Sequence, residues 1–255
     1  MSTDPTTVGA GGAWPDGYDR VLLEETDSTM AEARRRAPEL GGPLWILARH
    51  QTAGHGRRGR AWQHPPGNFA ATLVLPGAGD PAQAALRSFT TSLALYDAFV
   101  ARCGTRGQFA LKWPNDVLLN GGKVAGILLE ALPGGTLSIG IGVNLSQAPG
   151  ADTVEPGATP PVSLAQECDA LVPPHSFLDT LAPAFATWEQ RFLTYGFGPV
   201  RTAWLDRAAR LGDTVTARLP NEEVTGRFLS IDDAGHLVLQ TPAGPRTIPA
   251  ADVYF

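Results

Sequence analysis

Between Leu40 and Gly79 the chain carries no aspartate or glutamate, although four arginines and three of its five histidines fall there. The centre of this stretch is Gly54-His55-Gly56-Arg57-Arg58-Gly59-Arg60. Its glycines permit positive-φ turns and close backbone approach that expose N–H groups, and its arginines offer bidentate forks, so the segment is built to hold phosphate or carboxylate. Gly54, Gly56 and Gly59 have the G-x-G-x-x-G spacing, but the strand–loop–helix context and acidic ribose partner of a dinucleotide fingerprint are missing. The terminal Gly-Lys-Ser/Thr of a phosphate loop is missing too. On composition alone, a solvated basic loop explains the segment equally well.

Of the 20 basic residues only Lys112 and Lys123 are lysine, and the rest are arginine. Lysine kept in such a background points to places where a compact ammonium does what a planar guanidinium cannot. Lys112 opens Lys112-Trp113-Pro114-Asn115-Asp116, which sets an amine, an amide and a carboxylate around a proline corner. Lys123 lies in Gly121-Gly122-Lys123-Val124-Ala125-Gly126, entering a strand between glycines where a ligand or another backbone can come close. In Gly140-Ile141-Gly142-Val143-Asn144, two glycines share one face of a strand that ends in an amide. Each of these, taken alone, is better read as a hairpin or a bulge.

The elements that must position them follow from periodicity. Tyr18 to Glu24 is strand-like, and Ser28 or Asp27 caps a short helix that ends before Pro38. Leu44 to Ala48 and Asn68 to Leu75 read as strands on either side of the arginine-rich loop. Gln83 to Arg102 has the strongest helical pattern. Phe109 to Trp113, Val124 to Leu129 and Leu137 to Val143 read as sheet strands, the first two joined through Asn115 to Leu119 and an Asn120-Gly121-Gly122 turn. Residues 146 to 162 read as a surface loop. Ser176 and Pro199 open two helices, and after Gly212 short strands with Asp-Asp-Ala-Gly and Pro-Ala-Gly turns suggest a small β-barrel. The expected organisation is a tail over 1–17, a catalytic domain over 18–210 and a small β domain over 211–255.

A chain of 255 residues with 43% hydrophobic content buries a proper core, and its net charge of −5 argues against a whole surface devoted to nucleic acid or anionic lipid. Two cysteines, Cys103 and Cys168, suggest a reducing compartment and give no metal-ligand spacing, so no metal site is expected. The first twelve residues lack the charge and apolar run of a secretory signal, and no run of eighteen apolar residues exists to span a membrane. The expected location is the cytoplasm.

Together these motifs, in this order and preceded by Glu24-Thr26-Asp27-Ser28-Thr29, resemble the biotin protein ligase family. The resemblance runs over about residues 18 to 255. It implies an α/β (α+β) fold: a mixed sheet with helices on one side, like the class II aminoacyl-tRNA synthetase core, and a C-terminal Src-homology-3-like barrel. It also implies ATP and biotin as substrates with Mg2+, formation of biotinyl-AMP, and transfer to a lysine on the biotin carboxyl carrier domain of a biotin-dependent carboxylase. For biotin it implies Ser28, Thr29, Gln51, Gly54, His55, Gly56, Arg57, Lys123, Gly126 and Gly142. For ATP and the adenylate it implies Arg57, Arg58, Arg60, Trp62, Lys112, Asn115 and Asn144. Arg57 and Lys123 are the expected electrostatic catalysts, and Asp116 is expected to orient or accept the proton of the incoming lysine. A homodimer occurs in the family. The 17 residues before the first strand leave no room for the winged helix-turn-helix of its repressor members, so no nucleic-acid partner is expected. Two positions depart from the family pattern: His55 replaces the first loop arginine, and Met30 replaces an asparagine. A lipoate ligase and a non-catalytic module holding a carboxylate or nucleotide are the alternative readings.

Overall fold

The computed structural model describes residues 13–150 and 157–254. A seven-stranded mixed sheet is built from β1 (Asp19–Thr26), β2 (Leu44–Gln51), β3 (Phe69–Leu75), β4 (Phe109–Lys112), β5 (Asp116–Leu119), β6 (Gly122–Leu132) and β7 (Thr136–Val143), in the order β1-β2-β3-β7-β6-β5-β4. The β1–β2 pair is parallel and every other pair antiparallel.

Side-chain alternation divides this sheet cleanly. Trp45, Leu47, Phe69, Ala71, Leu73, Ile139 and Ile141 face one side and pack beneath α3 (Arg87–Cys103) and α5 (Pro174–Tyr195). Phe69 meets Phe177 edge-on at 5.2 Å, and Trp45 meets Phe185 at 6.0 Å. Each such fully buried ring stabilises the layer by roughly 1.5–3 kcal/mol. The two helices are cross-linked by a buried ion pair, Arg87 to Glu189 at 2.8 Å.

The opposite face carries Leu44, Ile46 and Val74, covered by α1 (Thr29–Arg36) through Ala33. Helices therefore lie on both faces, not on one as expected. Because α1 is only eight residues long, it covers part of that face and leaves open the stretch of β3, β7 and β6 around Ala70, Gly142 and Gly126.

Other elements differ from expectation in local ways. Asp80 caps α2 (Pro81–Ala85), and Leu86 separates it from α3. Pro174 occupies the first turn of α5, where its missing N–H costs nothing, so the helix begins before Ser176. Phe197 likewise precedes Pro199 in α6 (Phe197–Leu205). Strand β5 falls in the stretch read as the connection between two strands, and helix α4 (Leu164–Cys168) lies just past the expected loop, in residues without a sequence reading. Within the expected tail, Trp14 donates to the Tyr18 carbonyl at 2.6 Å and stacks under Arg20, so the chain is anchored from there. The expectation for residues 1–12 lies outside the described residues, as does the 151–156 part of the expected loop.

The C-terminal segment forms a second sheet from β8 (Thr214–Arg218), β9 (Glu223–Ile231), β10 (Leu237–Thr241), β11 (Gly244–Ile248) and β12 (Asp252–Tyr254), in the order β11-β10-β9-β8-β12. It is antiparallel throughout. Strand β12 is absent from the sequence reading. The sheet joins the first through Trp113, whose indole donates to the Gly235 carbonyl at 3.0 Å.

Candidate active site

The uncovered face of the large sheet floors a cavity of about 500 Å³. Its geometry follows from register. One row of directly opposed residues runs across six strands: Ala48, Ala70, Gly142, Gly126, Asp116 and Lys112. Small residues in the middle of the row keep the floor at backbone level, and the row ends at a carboxylate and an amine.

Lys123 reaches the same face through a bulge. Val117 opposes Ala125 while Leu118 opposes Lys123, so Val124 is an extra residue on β6. Val124 and Ala125 both turn into the helical core, and Lys123 is thereby re-aimed into the cavity. Its Nζ lies 2.7 Å from Asp116 Oδ1. Lys112 is 8% exposed and donates to Thr159 Oγ1 at 2.6 Å. Burial pulls its ammonium below the usual lysine range, the charge of Lys123 adding to the effect and Asp116 and Asp252 opposing it.

At the other end of the cavity Ser28 caps α1, its hydroxyl accepting from the Ala31 N–H at 3.0 Å. Thr29 donates to Gln51 Oε1 through its N–H at 2.8 Å and its hydroxyl at 3.1 Å, and Thr72 donates to Thr29 at 2.8 Å. Met30 packs against Gly140, where an added Cβ would stand 2.7 Å from its sulfur. The departure at Met30 is thus absorbed by a glycine in the floor.

The arginine-rich segment is a small hairpin rather than an open loop. His55 bridges Ala61, Gly56 N–H donates to the Arg60 carbonyl at 2.8 Å, and Trp62 N–H donates to the Gly54 carbonyl at 2.9 Å. Arg58 and Gly59 form the tip with φ of 57° and 72°. The hairpin lays Trp62 over the floor, where a Cβ on Gly142 would come within 2.2 Å of the indole and one on Gly126 within 3.3 Å. Arg57 donates to Asn115 Oδ1 at 3.2 Å, and Asn115 is itself fixed by donating to the Ile127 carbonyl at 2.7 Å. His55 faces Glu130 at 3.4 Å, and Glu130 also pairs with Arg34 at 2.9 Å.

All the site residues named from sequence border the cavity except Gly54 and Arg58. Gly54 shapes the hairpin, its missing Cβ leaving room for Gln51 Nε2 at 2.8 Å. Arg58 points to Asp252 at 3.0 Å. Two buried polar atoms on the wall have no protein partner, Trp62 Nε1 and Asn144 Oδ1, and they offer one donor and one acceptor to a ligand. Sequence reading missed Thr72, Thr159, Glu130 and Asp252. Thr72 alone had a signal, a hydroxyl in the apolar run Phe69–Leu75.

Residues 22–145 match the Biotin/lipoate A/B protein ligase family, and residues 211–255 match the Biotin protein ligase C terminal domain. The chain is 57% identical over 238 residues to the biotin--[acetyl-CoA-carboxylase] ligase of Paracoccus denitrificans, covering 92% of this chain and 99% of that one. It belongs to the biotin protein ligase family. Among more distant biotin protein ligases, the bifunctional ligase/repressor BirA of Bacillus subtilis is 32% identical over 91% of this chain and 71% of its own. The fold is also that of a biotin protein ligase from Aquifex aeolicus solved in complex with biotin and ATP, with a TM-score of 0.79 at 22% identity over 92% and 97% of the two chains.

Proposed function

We propose that this chain is an ATP-dependent ligase that activates biotin as biotinyl-AMP and transfers it to a lysine of a biotin carboxyl carrier domain. The observation that carries this reading is the row from Ala70 through Gly142 and Gly126 to Asp116, with Lys123 beside it and an arginine hairpin above. A flat, apolar acid would lie over the glycine floor once the Trp62 indole that rests on Gly126 and Gly142 swings aside, its polar head toward Ser28, Thr29 and Gln51 and its carboxylate toward Lys123 and Arg57. Trp62 lies against Gly126 and Gly142, so it serves the biotin side of the cavity as well as the nucleotide. Lys112, Asn115, Asn144, Arg58 and Arg60 remain for the adenylate.

In the first step a carboxylate oxygen of biotin bonds to the α-phosphorus of ATP, and the bond to pyrophosphate breaks. Two anions must approach, and fixed cations at their meeting point lower that barrier without reorganising. In the second step the carrier lysine, ordinarily protonated with a pKa near ~10.4, loses a proton and attacks the acyl carbon while AMP leaves. In this reading Asp116 takes or orients that proton. The hairpin keeps water from the mixed anhydride.

Among the described residues no group of three or more His, Cys, Asp and Glu could hold a metal ion, and Asp116 and Asp252 are each engaged by cations. Mg2+ is therefore proposed as part of the nucleotide substrate, carried on its phosphates. No helix among the described residues is long and apolar enough to cross a membrane, and we place the enzyme in the cytoplasm with its carrier. Repressor activity and nucleic-acid binding are not carried over from the Bacillus relative. A second copy of the chain is a candidate partner on family resemblance alone.

Incubation with biotin, MgATP and a carrier domain tests the reading. An ATP-dependent mass gain of one biotinyl group on the carrier, absent with lipoate, is expected. Silence in both pyrophosphate release and carrier mass would overturn it in favour of a binding module.

A further inference from the structure

Three guanidinium groups of the hairpin converge on one carboxylate from the other sheet. Arg57 Nη1 lies 3.3 Å from Asp252 Oδ1, and Arg58 Nη1 and Arg60 Nη2 lie 3.0 and 3.2 Å from Oδ2. Arg57 also donates to the Ala251 carbonyl at 3.4 Å. Asp252 begins β12, an edge strand laddered to β8, and its side chain is only 15% exposed. With Val253 and Tyr254 it borders the cavity. Of the residues that meet this carboxylate, Arg58 and Arg60 are proposed above to hold the adenylate, and Arg57 stands where the carboxylate and phosphate meet. A carboxylate presents two acceptor oxygens and a negative charge, which is what an edge of a phosphate presents to an arginine fork.

We infer that Asp252 is a positioning residue that gathers the three hairpin arginines and competes for them with the nucleotide phosphate. The inference rests on the function proposed above and deepens it. Held by Asp252, the arginines are already gathered at the mouth of the site, which removes much of the cost of ordering them on binding. The same contact must be given up to the incoming anion, so the carboxylate competes with it and weakens its apparent affinity. Charge is the part that competes. An amide at position 252 keeps one acceptor oxygen and the side-chain size but surrenders the competition.

Calorimetric titration of MgATP, and separately of pyrophosphate, into the wild-type chain, Asp252→Asn and Asp252→Glu tests this without requiring turnover. Asp252→Asn should bind both anions about fivefold more tightly, the scale of one partly exposed ion pair. Asp252→Glu, which restores the charge, should return toward wild type. In turnover the KM for ATP should fall in Asp252→Asn and recover in Asp252→Glu. Unchanged or weaker anion binding in a folded Asp252→Asn would overturn the inference, as would equal effects of both variants or no anion binding by the wild type. Tighter anion binding with no pyrophosphate release by the wild type would support the role of Asp252 and sink the ligase reading instead.

Discussion

Lys123 Nζ stands 2.7 Å from Asp116 Oδ1 at the point where the glycine floor of the cavity ends. In the proposed mechanism the pair couples the two half-reactions, because the carboxylate assigned to the second step also holds the ammonium assigned to the first. Asp116→Asn should therefore slow pyrophosphate release and also slow transfer from preformed biotinyl-AMP, the latter by about 100-fold. Single-turnover transfer to the carrier at saturating adenylate checks this. A normal transfer rate would remove Asp116 from the proton step.

Lys123→Gln removes a cation aimed at charge that develops as carboxylate and phosphate meet. Pyrophosphate release should fall by roughly 100- to 1,000-fold. Lys123→Arg should recover little of it, because the planar fork does not fit a position framed by Asp116, Gly126 and the Trp62 ring at 5.8 Å. Initial rates at saturating biotin and ATP read the effect directly.

Arg57 ties the hairpin across the cavity to Asn115 on one side and to Asp252 and the Ala251 carbonyl on the other. Arg57→Gly cuts these ties, so biotinyl-AMP should escape and acylate lysines indiscriminately. Biotin found by mass spectrometry on a lysine-rich bystander protein should rise well above wild type. No rise would show that the hairpin does not retain the adenylate.

Lys112 is the test of a residue kept for function at the expense of stability. In the window between its lowered folded-state pKa and 10.5, the unfolded chain binds more protons than the folded one, so stability rises with pH there. Below that window the folded state carries the full cost of a buried ammonium. Lys112→Met should accordingly be more stable by about 1 kcal/mol at neutral pH, the advantage shrinking toward pH 10.5, while ligation falls. Urea denaturation of both proteins at pH 7.5 and 9.5 measures it.

What the sequence discloses is governed by how far each determinant lies along the chain. Ser28, Thr29 and the Lys112-to-Asp116 corner were readable because a cap or a turn is a local matter. Even four-residue β4 was readable as an apolar run standing apart, and β5 was not because it lies between the Pro114 corner and the Asn120-Gly121 turn and reads as part of their connection. The bulge at Val124 was hidden, since a run such as Val124, Ala125 and Ile127 is apolar with or without it. Asp252 was invisible: nothing near the C-terminus marks it, and its meaning comes from arginines almost two hundred residues earlier. The face left open by α1 was likewise a matter of packing, decided by a helix that stops after eight residues.

The cross-strand row has a further consequence, for anyone wishing to change which acid the enzyme accepts. At Gly126 and Gly142 the floor is already main chain, so no side chain there remains to be trimmed, and the pocket cannot be deepened from below. A methyl group added at Gly142 collides with the Trp62 indole. Room for a bulkier acyl chain must come from the roof, by replacing Trp62 with something smaller, or from the end wall at Met30, whose flexible thioether rests on Gly140. Substrate range in this scaffold is set from above and from one end, and its sheet is the part to leave alone.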